Sequence, residues 1–371
     1  MSNLLETMDS VLLMGPGPSS INPKVYQAMA KPTIGHLDPQ FLALMDCLKD
    51  QLRRVMDTEN DATITLSGTG SSGMEAVMTN LVEEGETMLV ATGGFFADRM
   101  VDVARRLGAQ VDVLEFPWGK PVETAEVAKK LKEKSYKYVS MVHGETSTGV
   151  INPISEIGPL VRAAGAFFIV DAVTTLGGSK IHADDYQIDA LYSCSQKCIG
   201  CPSGLSPVTF SPRAMEKIAA RKKKVPNFYL DMTILMKYWN GTPRAYHHTA
   251  PANMYFGLYE ALRLVLEEGV DKVIARHREV HEYLVAGFEK MGLSMLVDKP
   301  YRLPHLNTVL VPAGIDEAAV RKELRQNYKI EIGAGLGTLA GKIWRVGIMG
   351  HAARKENVDI LLSALKKILG K

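Results

Sequence analysis

The run Ala166-Phe167-Phe168-Ile169-Val170 constrains this chain more than any other stretch, because it is apolar on every side and then stops at a carboxylate, Asp171. A strand with no polar face suits a parallel sheet, whose crossover connections lay helices over both surfaces. The surrounding sequence keeps that rhythm. Strands are expected over 62–66, 87–91, 111–114, 138–142 and 188–192, and helices over 74–81, 99–107, 122–132 and 154–164. Alternation of this kind predicts an α/β domain built on a mostly parallel sheet.

The flanks differ. Two glycines and two prolines keep Leu12 to Ser20 non-helical; Asn22 and Pro23 then open a helix over 24–30, and Phe41, Leu44, Met45, Leu48, Leu52, Val55 and Met56 recur with helical spacing over 39–56. Past the β-rich stretch 207–211 and a helix carrying Met215 and Ile218, the basic run Arg221 to Lys224 reads as a solvated loop. Helices over 253–268 and 271–291 follow, then strands over 307–311, 329–332 and 343–349 with helices over 317–326 and 357–369. The expected organisation is a lead-in over 1–20, a large domain over 21–268 and a small α+β domain over 269–371.

A net charge of +2 gives no nucleic-acid footprint. No stretch approaches the roughly 20 apolar residues of a membrane span, and the start of the chain, with Glu6 and Asp9, lacks a signal-peptide core, so a cytoplasmic protein is expected. Cys47, Cys194, Cys198 and Cys201 suit a reducing compartment. The last three share the Cys-x3-Cys-x2-Cys spacing of radical S-adenosylmethionine enzymes. That motif places an aromatic before its third cysteine and follows the first strand of a barrel. Here Gly200 holds that position and too little chain follows, so buried thiols at a strand end are expected, and no metal.

In an α/β sheet, ligands gather at the carboxyl ends of the strands. Strand 62–66 ends in Ser67-Gly68-Thr69-Gly70-Ser71-Ser72-Gly73, where small residues before a helix form a cup for a phosphate. The same letters fit a dinucleotide fingerprint, but strand 87–91 ends in Thr92-Gly93-Gly94 without the acid that would hold a ribose. Phe95-Phe96 come next, giving one aromatic access to the cleft. His143-Gly144-Glu145-Thr146-Ser147-Thr148-Gly149 follows strand 138–142 with hydroxyls suited to a ligand. Asp171, at the end of an apolar strand, needs a partner: a structural cation or a cationic ligand atom. Lys197 arrives where strand 188–192 gives way to a glycine-rich turn, so its amine can be partly desolvated and meet a carbonyl. Arg345, inside the last strand, presents a fork to a carboxylate, whether of a ligand or of the protein. One cofactor needs the phosphate cup, the aromatic, the acid and the amine together. Pyridoxal 5'-phosphate has a phosphate, a ring to stack, a nitrogen to keep protonated and an aldehyde that condenses with lysine.

With these residues in view the chain resembles the class V aminotransferases of fold-type I, closest to the alanine-glyoxylate and serine-pyruvate group. The likeness runs from Met14-Gly15-Pro16-Gly17-Pro18-Ser19 through Ser67 to Gly70, His143 to Gly149, Val170 to Gly178, Ser195-Gln196-Lys197 and Tyr246-His247-His248-Thr249 to Trp344-Arg345-Val346-Gly347. It implies a large domain with a mostly parallel, seven-stranded type of sheet and a small C-terminal domain. It implies that Lys197 condenses with the cofactor, that Asp171 pairs with its ring nitrogen, and that Thr69, Gly70, Ser71 and Gln196 surround its phosphate. Phe96 would stack on the ring, with Thr146 and Val173 completing the contacts. Tyr246 and Thr249 would reach the phosphate of a neighbouring subunit in a homodimer with shared sites. Arg345 would take the substrate carboxylate beside Gly17. Ser71 and Phe96 stand where the animal alanine-glyoxylate enzymes have histidine and tryptophan, which leaves the substrate open. The expected reaction moves an amino group from alanine or serine to glyoxylate or pyruvate by a ping-pong mechanism, with 2-aminoethylphosphonate, ureidoglycine or pyridoxamine as alternative donors. A cysteine desulfurase of the same fold would need a cysteine well after Lys197, and none follows Cys201.

Overall fold

The computed structural model describes residues 3–371. Its centre is a seven-stranded sheet. The apolar strand Phe167–Asp171 is buried throughout and lies in the middle of that sheet.

In chain order the elements are β1 (Leu12–Leu13), α1 (Pro23–Met29), α2 (Pro39–Met56), β2 (Ala62–Ser67), α3 (Gly70–Leu81), β3 (Thr87–Thr92), α4 (Phe95–Arg106), β4 (Gln110–Glu115) and α5 (Thr124–Glu133). Next come β5 (Tyr138–Val142), the hairpin strands β6 (Gly144–Glu145) and β7 (Val150–Ile151), α6 (Ile154–Ala163), β8 (Phe167–Asp171), β9 (Ala190–Tyr192), β10 (Leu205–Phe210), α7 (Pro212–Ala219) and α8 (Met232–Asn240). Two long helices, α9 (Ala252–Glu268) and α10 (Val270–Lys290), lead to β11 (Leu306–Leu310), α11 (Glu317–Asn327), β12 (Ile330–Glu331), β13 (Gly333–Ala334), β14 (Ile343–Gly347) and α12 (Lys355–Ile368).

The large sheet has the order β2-β10-β9-β8-β5-β3-β4. β10 runs antiparallel to both neighbours, and the remaining pairs are parallel. Register carries the site: Val142 pairs with Asp171 and Asp171 with Tyr192, so three strand ends align at one carboxyl rim. Local chemistry places the helices. Asp38 accepts the Gln40 N–H ahead of Pro39, and α2 then buries Phe41, Met45, Leu48, Leu52, Val55 and Met56. Asp57 ends it in the left-handed region at φ 47°. A second apolar core gathers Met14, Phe288, Leu324, Trp344, Val346 and Leu361 around the three-stranded sheet β11-β14-β13.

Several expected boundaries move. α3 begins at Gly70 rather than at 74, and α4 at Phe95 rather than at 99, so both strand-end turns are already the first turns of helices. The strand expected over 329–332 does not join the last strand. It shortens to β12 and pairs in parallel with β1. α8 was not expected at all, although Asp231 caps it and Met232, Leu235, Tyr238 and Trp239 supply a buried face. Among the described residues no helix is long and apolar enough to cross a membrane.

Candidate active site

Asp171 is 2% exposed, and its two carboxylate oxygens accept the Val173 N–H and the Tyr192 O–H, each at 2.8 Å. Neither donor carries a charge. Among the described residues no cationic side chain bonds to it, so the cost of burying a carboxylate is met by two neutral hydrogen bonds alone. Burial accordingly pushes its carboxyl up to about 7, against the pull of those donors, and the nearby Glu145 carboxylate adds to the rise.

Lys197 is held by a folded turn. The Ser195 hydroxyl donates to the Pro202 carbonyl at 2.6 Å, the Ser195 N–H to Leu205 at 3.0 Å and the Gly200 N–H to Lys197 at 3.0 Å. The lead-in closes over it from the far end of the sequence, Ser19 donating its N–H to the Gln196 carbonyl at 3.0 Å and its hydroxyl to the Lys197 carbonyl at 2.8 Å. The lysine amine donates to the Pro16 carbonyl. Gly17 sits at φ +111° with no room for a side chain, since a Cβ there would lie 2.6 Å from the lysine Nζ. Burial holds the amine below the ordinary lysine range, and the Arg345 guanidinium works in the same direction. A larger neutral fraction makes it a better nucleophile.

Between these groups lies a cavity of about 210 Å3. Thr69, Gly70, Ser71, Phe96, Thr146, Asp171, Val173, Gln196 and Lys197 line it, all of them expected from the sequence, together with Met74, Arg99 and Tyr192. The floor at one end is the N-terminus of α3. Its cap residue Thr69 makes no side-chain bond to the helix, which leaves the amide dipoles at that end available to an anion. Gly70 admits the close approach, because a Cβ there would stand 3.1 Å from the Cys194 Cβ and 3.2 Å from a Val173 methyl. The Gln196 Oε1 is buried and has no hydrogen-bond partner among the described residues.

Arg345 stands behind Thr146. Its Nε donates to the Ala334 carbonyl at 2.6 Å and one terminal nitrogen to the Thr146 carbonyl at 3.1 Å. Among the described residues it forms no ion pair, and burial lowers it to about 10 while Glu145 pulls the other way. Arg345 and Gly17 therefore flank the cavity without lining it. Tyr246 and Thr249 are elsewhere: Tyr246 is 61% exposed with its ring 5.3 Å from that of His36, and Thr249 is exposed.

Two lining residues that sequence reasoning passed over had readable signals. Arg99 lies one helical step beyond Phe96, and its guanidinium sits 5.3 and 5.4 Å from the Phe95 and Phe96 rings. Tyr192 ends the strand beside Asp171, so parallel register alone would have brought it there. The cysteines behave as small buried thiols. Cys194 donates to the Val173 carbonyl at 3.6 Å and Cys198 to Thr174 at 3.3 Å, and burial pushes the Cys194 and Cys201 thiols up to about 12.

A lysine amine and a buried acid with no cationic partner among the described residues share the carboxyl rim of this sheet beside a helix N-terminus, the arrangement of fold-type I transferases, and the solved structures with this fold include aminotransferases. The chain belongs to the class V aminotransferase family, whose profile, described as aminotransferase class-V, matches residues 14–361. It is 39% identical over 364 residues to an alanine–glyoxylate aminotransferase of Drosophila melanogaster, covering 97% of this chain and 92% of that one. It is 38% identical over 375 residues to the (S)-ureidoglycine–glyoxylate transaminase of Bacillus subtilis, covering 96% and 90%. Among solved structures, an alanine–glyoxylate aminotransferase from Nostoc sp. superposes with a TM-score of 0.96 at 49% identity, over 98% of this chain and 96% of that one.

Proposed function

We propose that the cavity holds pyridoxal 5'-phosphate and that the protein moves an amino group from alanine or serine to glyoxylate or pyruvate. The observation that carries this reading is Asp171. A carboxylate kept out of water without a cation is costly, and the protonated ring nitrogen of this cofactor supplies the missing charge where the strand ends. The α3 N-terminus with Thr69, Gly70, Ser71 and Gln196 would hold the phosphate, Phe96 one face of the ring, and Thr146 and Val173 its edges.

When bound, the cofactor withdraws electrons from the substrate α-carbon through its protonated ring. Asp171 keeps that ring nitrogen protonated. The Lys197 amine would act as the base that takes and returns the proton at the substrate α-carbon. Arg345, fixed by Ala334 and Thr146, binds the substrate carboxylate and so sets which α-carbon bond stands perpendicular to the ring. The lead-in shields one side of the Lys197 amine through the Pro16 carbonyl.

The same proposal includes a large domain over 21–268, a small one over 269–371, a cytoplasmic location and a homodimer. The exposure of Tyr246 and Thr249 supports their reaching the cofactor phosphate of a second subunit. Near-equal identity to enzymes named for alanine and for ureidoglycine leaves a second donor class in play, while both names share glyoxylate as acceptor. The test is a donor and acceptor panel on cofactor-loaded protein. Alanine or serine with glyoxylate or pyruvate should turn over and shift the visible absorbance band. Turnover with ureidoglycine or aminoethylphosphonate alone would reassign the donor, and a protein that stays colourless with the cofactor would remove the reading.

A further inference from the structure

The wall that carries Phe96 has no cap of its own. α4 starts after Gly94, which has no side chain to accept the helix's free N–H groups. The acceptors come from another part of the chain. The Ser147 hydroxyl accepts the Phe95 N–H at 3.0 Å, and the Glu145 carboxylate accepts the Ala97 N–H at 3.3 Å. A side chain at Gly94 would overlap both residues. The other Glu145 oxygen accepts the Ser147 N–H at 3.0 Å and the Ser147 hydroxyl at 2.6 Å. Glu145 is 2% exposed and, among the described residues, forms no ion pair.

This carboxylate sits in a short hairpin, β6 to β7, that also touches the opposite wall. Thr146 lines the cavity and its carbonyl accepts from Arg345. Thr148 accepts from the Thr308 hydroxyl at 2.7 Å, and the His143 N–H donates to the Asp171 carbonyl at 2.9 Å. One hairpin thus touches the start of α4, the arginine on β14 and the strand end that bears Asp171. A hairpin needing only its own stability has no reason to bury an unpaired carboxylate at its corner. A helix N-terminus supplies that reason, since its dipole and free amides favour a negative charge.

We propose that Glu145 is a positioning residue: with Ser147 it caps α4 from outside the helix and thereby fixes Phe96 over the cofactor ring and Thr146 in front of Arg345. The inference rests on the cofactor reading above and concerns a residue that does not line the cavity.

The experiment is cofactor titration of Glu145→Ala, Glu145→Gln and Ser147→Ala, each followed by visible circular dichroism of the bound cofactor and by KM for the oxo acid. Removing the carboxylate loosens the ring's wall, so Glu145→Ala should bind pyridoxal 5'-phosphate about tenfold more weakly, with a reduced dichroic band and a raised KM. Glu145→Gln keeps an oxygen for the Ala97 N–H and should stay within about threefold of the parent. A hairpin with a purely structural role would lower the melting temperature and leave affinity and dichroism unchanged; that result overturns the proposal. Should Glu145→Ala fail to fold, Ser147→Ala decides, with about threefold weaker binding in support and unchanged binding and dichroism against. A parent protein that takes up no cofactor would refute the cofactor assignment itself, a separate outcome.

Discussion

Replacing Asp171 by asparagine should stabilise the protein it inactivates. Among the described residues this buried acid has no cationic partner, and burial lifts its carboxyl from 3.8 to about 7. At about 1.4 kcal/mol per pH unit, the ionised folded chain carries a penalty of about 4 kcal/mol relative to the unfolded one. The sign follows from proton counts. Below about pH 4 the side chain is protonated in both states and costs nothing. Between about pH 4 and pH 7 the unfolded chain has released the proton while the folded chain still holds it, so stability falls as pH rises; above about pH 7 the full penalty stands. Asparagine is neutral throughout and nearly the same shape. It also turns an N–H toward one of the donors that now serve Asp171, which trims the gain to about 2–4 kcal/mol. Urea unfolding of cofactor-stripped protein at a series of pH values, followed by tryptophan fluorescence, should show the variant ahead at about pH 8 and its lead gone, or reversed by up to about 2 kcal/mol, near pH 4. With cofactor present the order should reverse, because only the parent can pair with the ring nitrogen. A variant that is less stable at every pH, or ahead by a constant amount, would refute the account of Asp171 as an acid awaiting a cation.

The remaining predictions concern the frame around that acid. Arg345→Lys keeps the charge but cannot bond Ala334 and Thr146 and still present a fork, so KM for the oxo acid should rise on the order of a hundredfold in steady-state assays with little loss of fold. Gly17→Ala puts a methyl group against Lys197 at a φ of +111°; turnover should fall at least about tenfold, and stability by about 1–3 kcal/mol on thermal unfolding. Asp189 is buried, bonds Arg213 at 2.8 Å and accepts the Phe168 N–H at 2.9 Å. Asp189→Ala should therefore cost about 1–3 kcal/mol in urea unfolding, because it takes the acceptor from the buried Phe168 N–H.

Much of the site was legible because strand ends are. Asp171 closes an apolar run and Lys197 follows the end of another in the turn after Tyr192, and the topology of parallel strands sends such positions to one rim. The glycine cup was equally plain, but its role as the first turn of α3 was hidden, since glycine and serine are poor helix formers and read as loop. α8 was missed behind the basic run although its buried face recurs at helical spacing. β1 and β12 are each two residues long, too short for any periodicity, and their pairing spans most of the chain. The capping by Glu145 was invisible for the same reason: its acceptors and donors come from elements that sequence order keeps apart.

The pairing of β1 with β12, and of Met14 with Gly347 at 2.8 Å, bears on the order in which the protein can be completed on the ribosome. The segment from Leu12 to Ser19 is made long before β12 and β14, the strands that seat it. Until they appear, that segment is anchored only by its own bonds to the lysine turn, from Ser19 and to the Pro16 carbonyl, so the cover over Lys197 is secured late in synthesis.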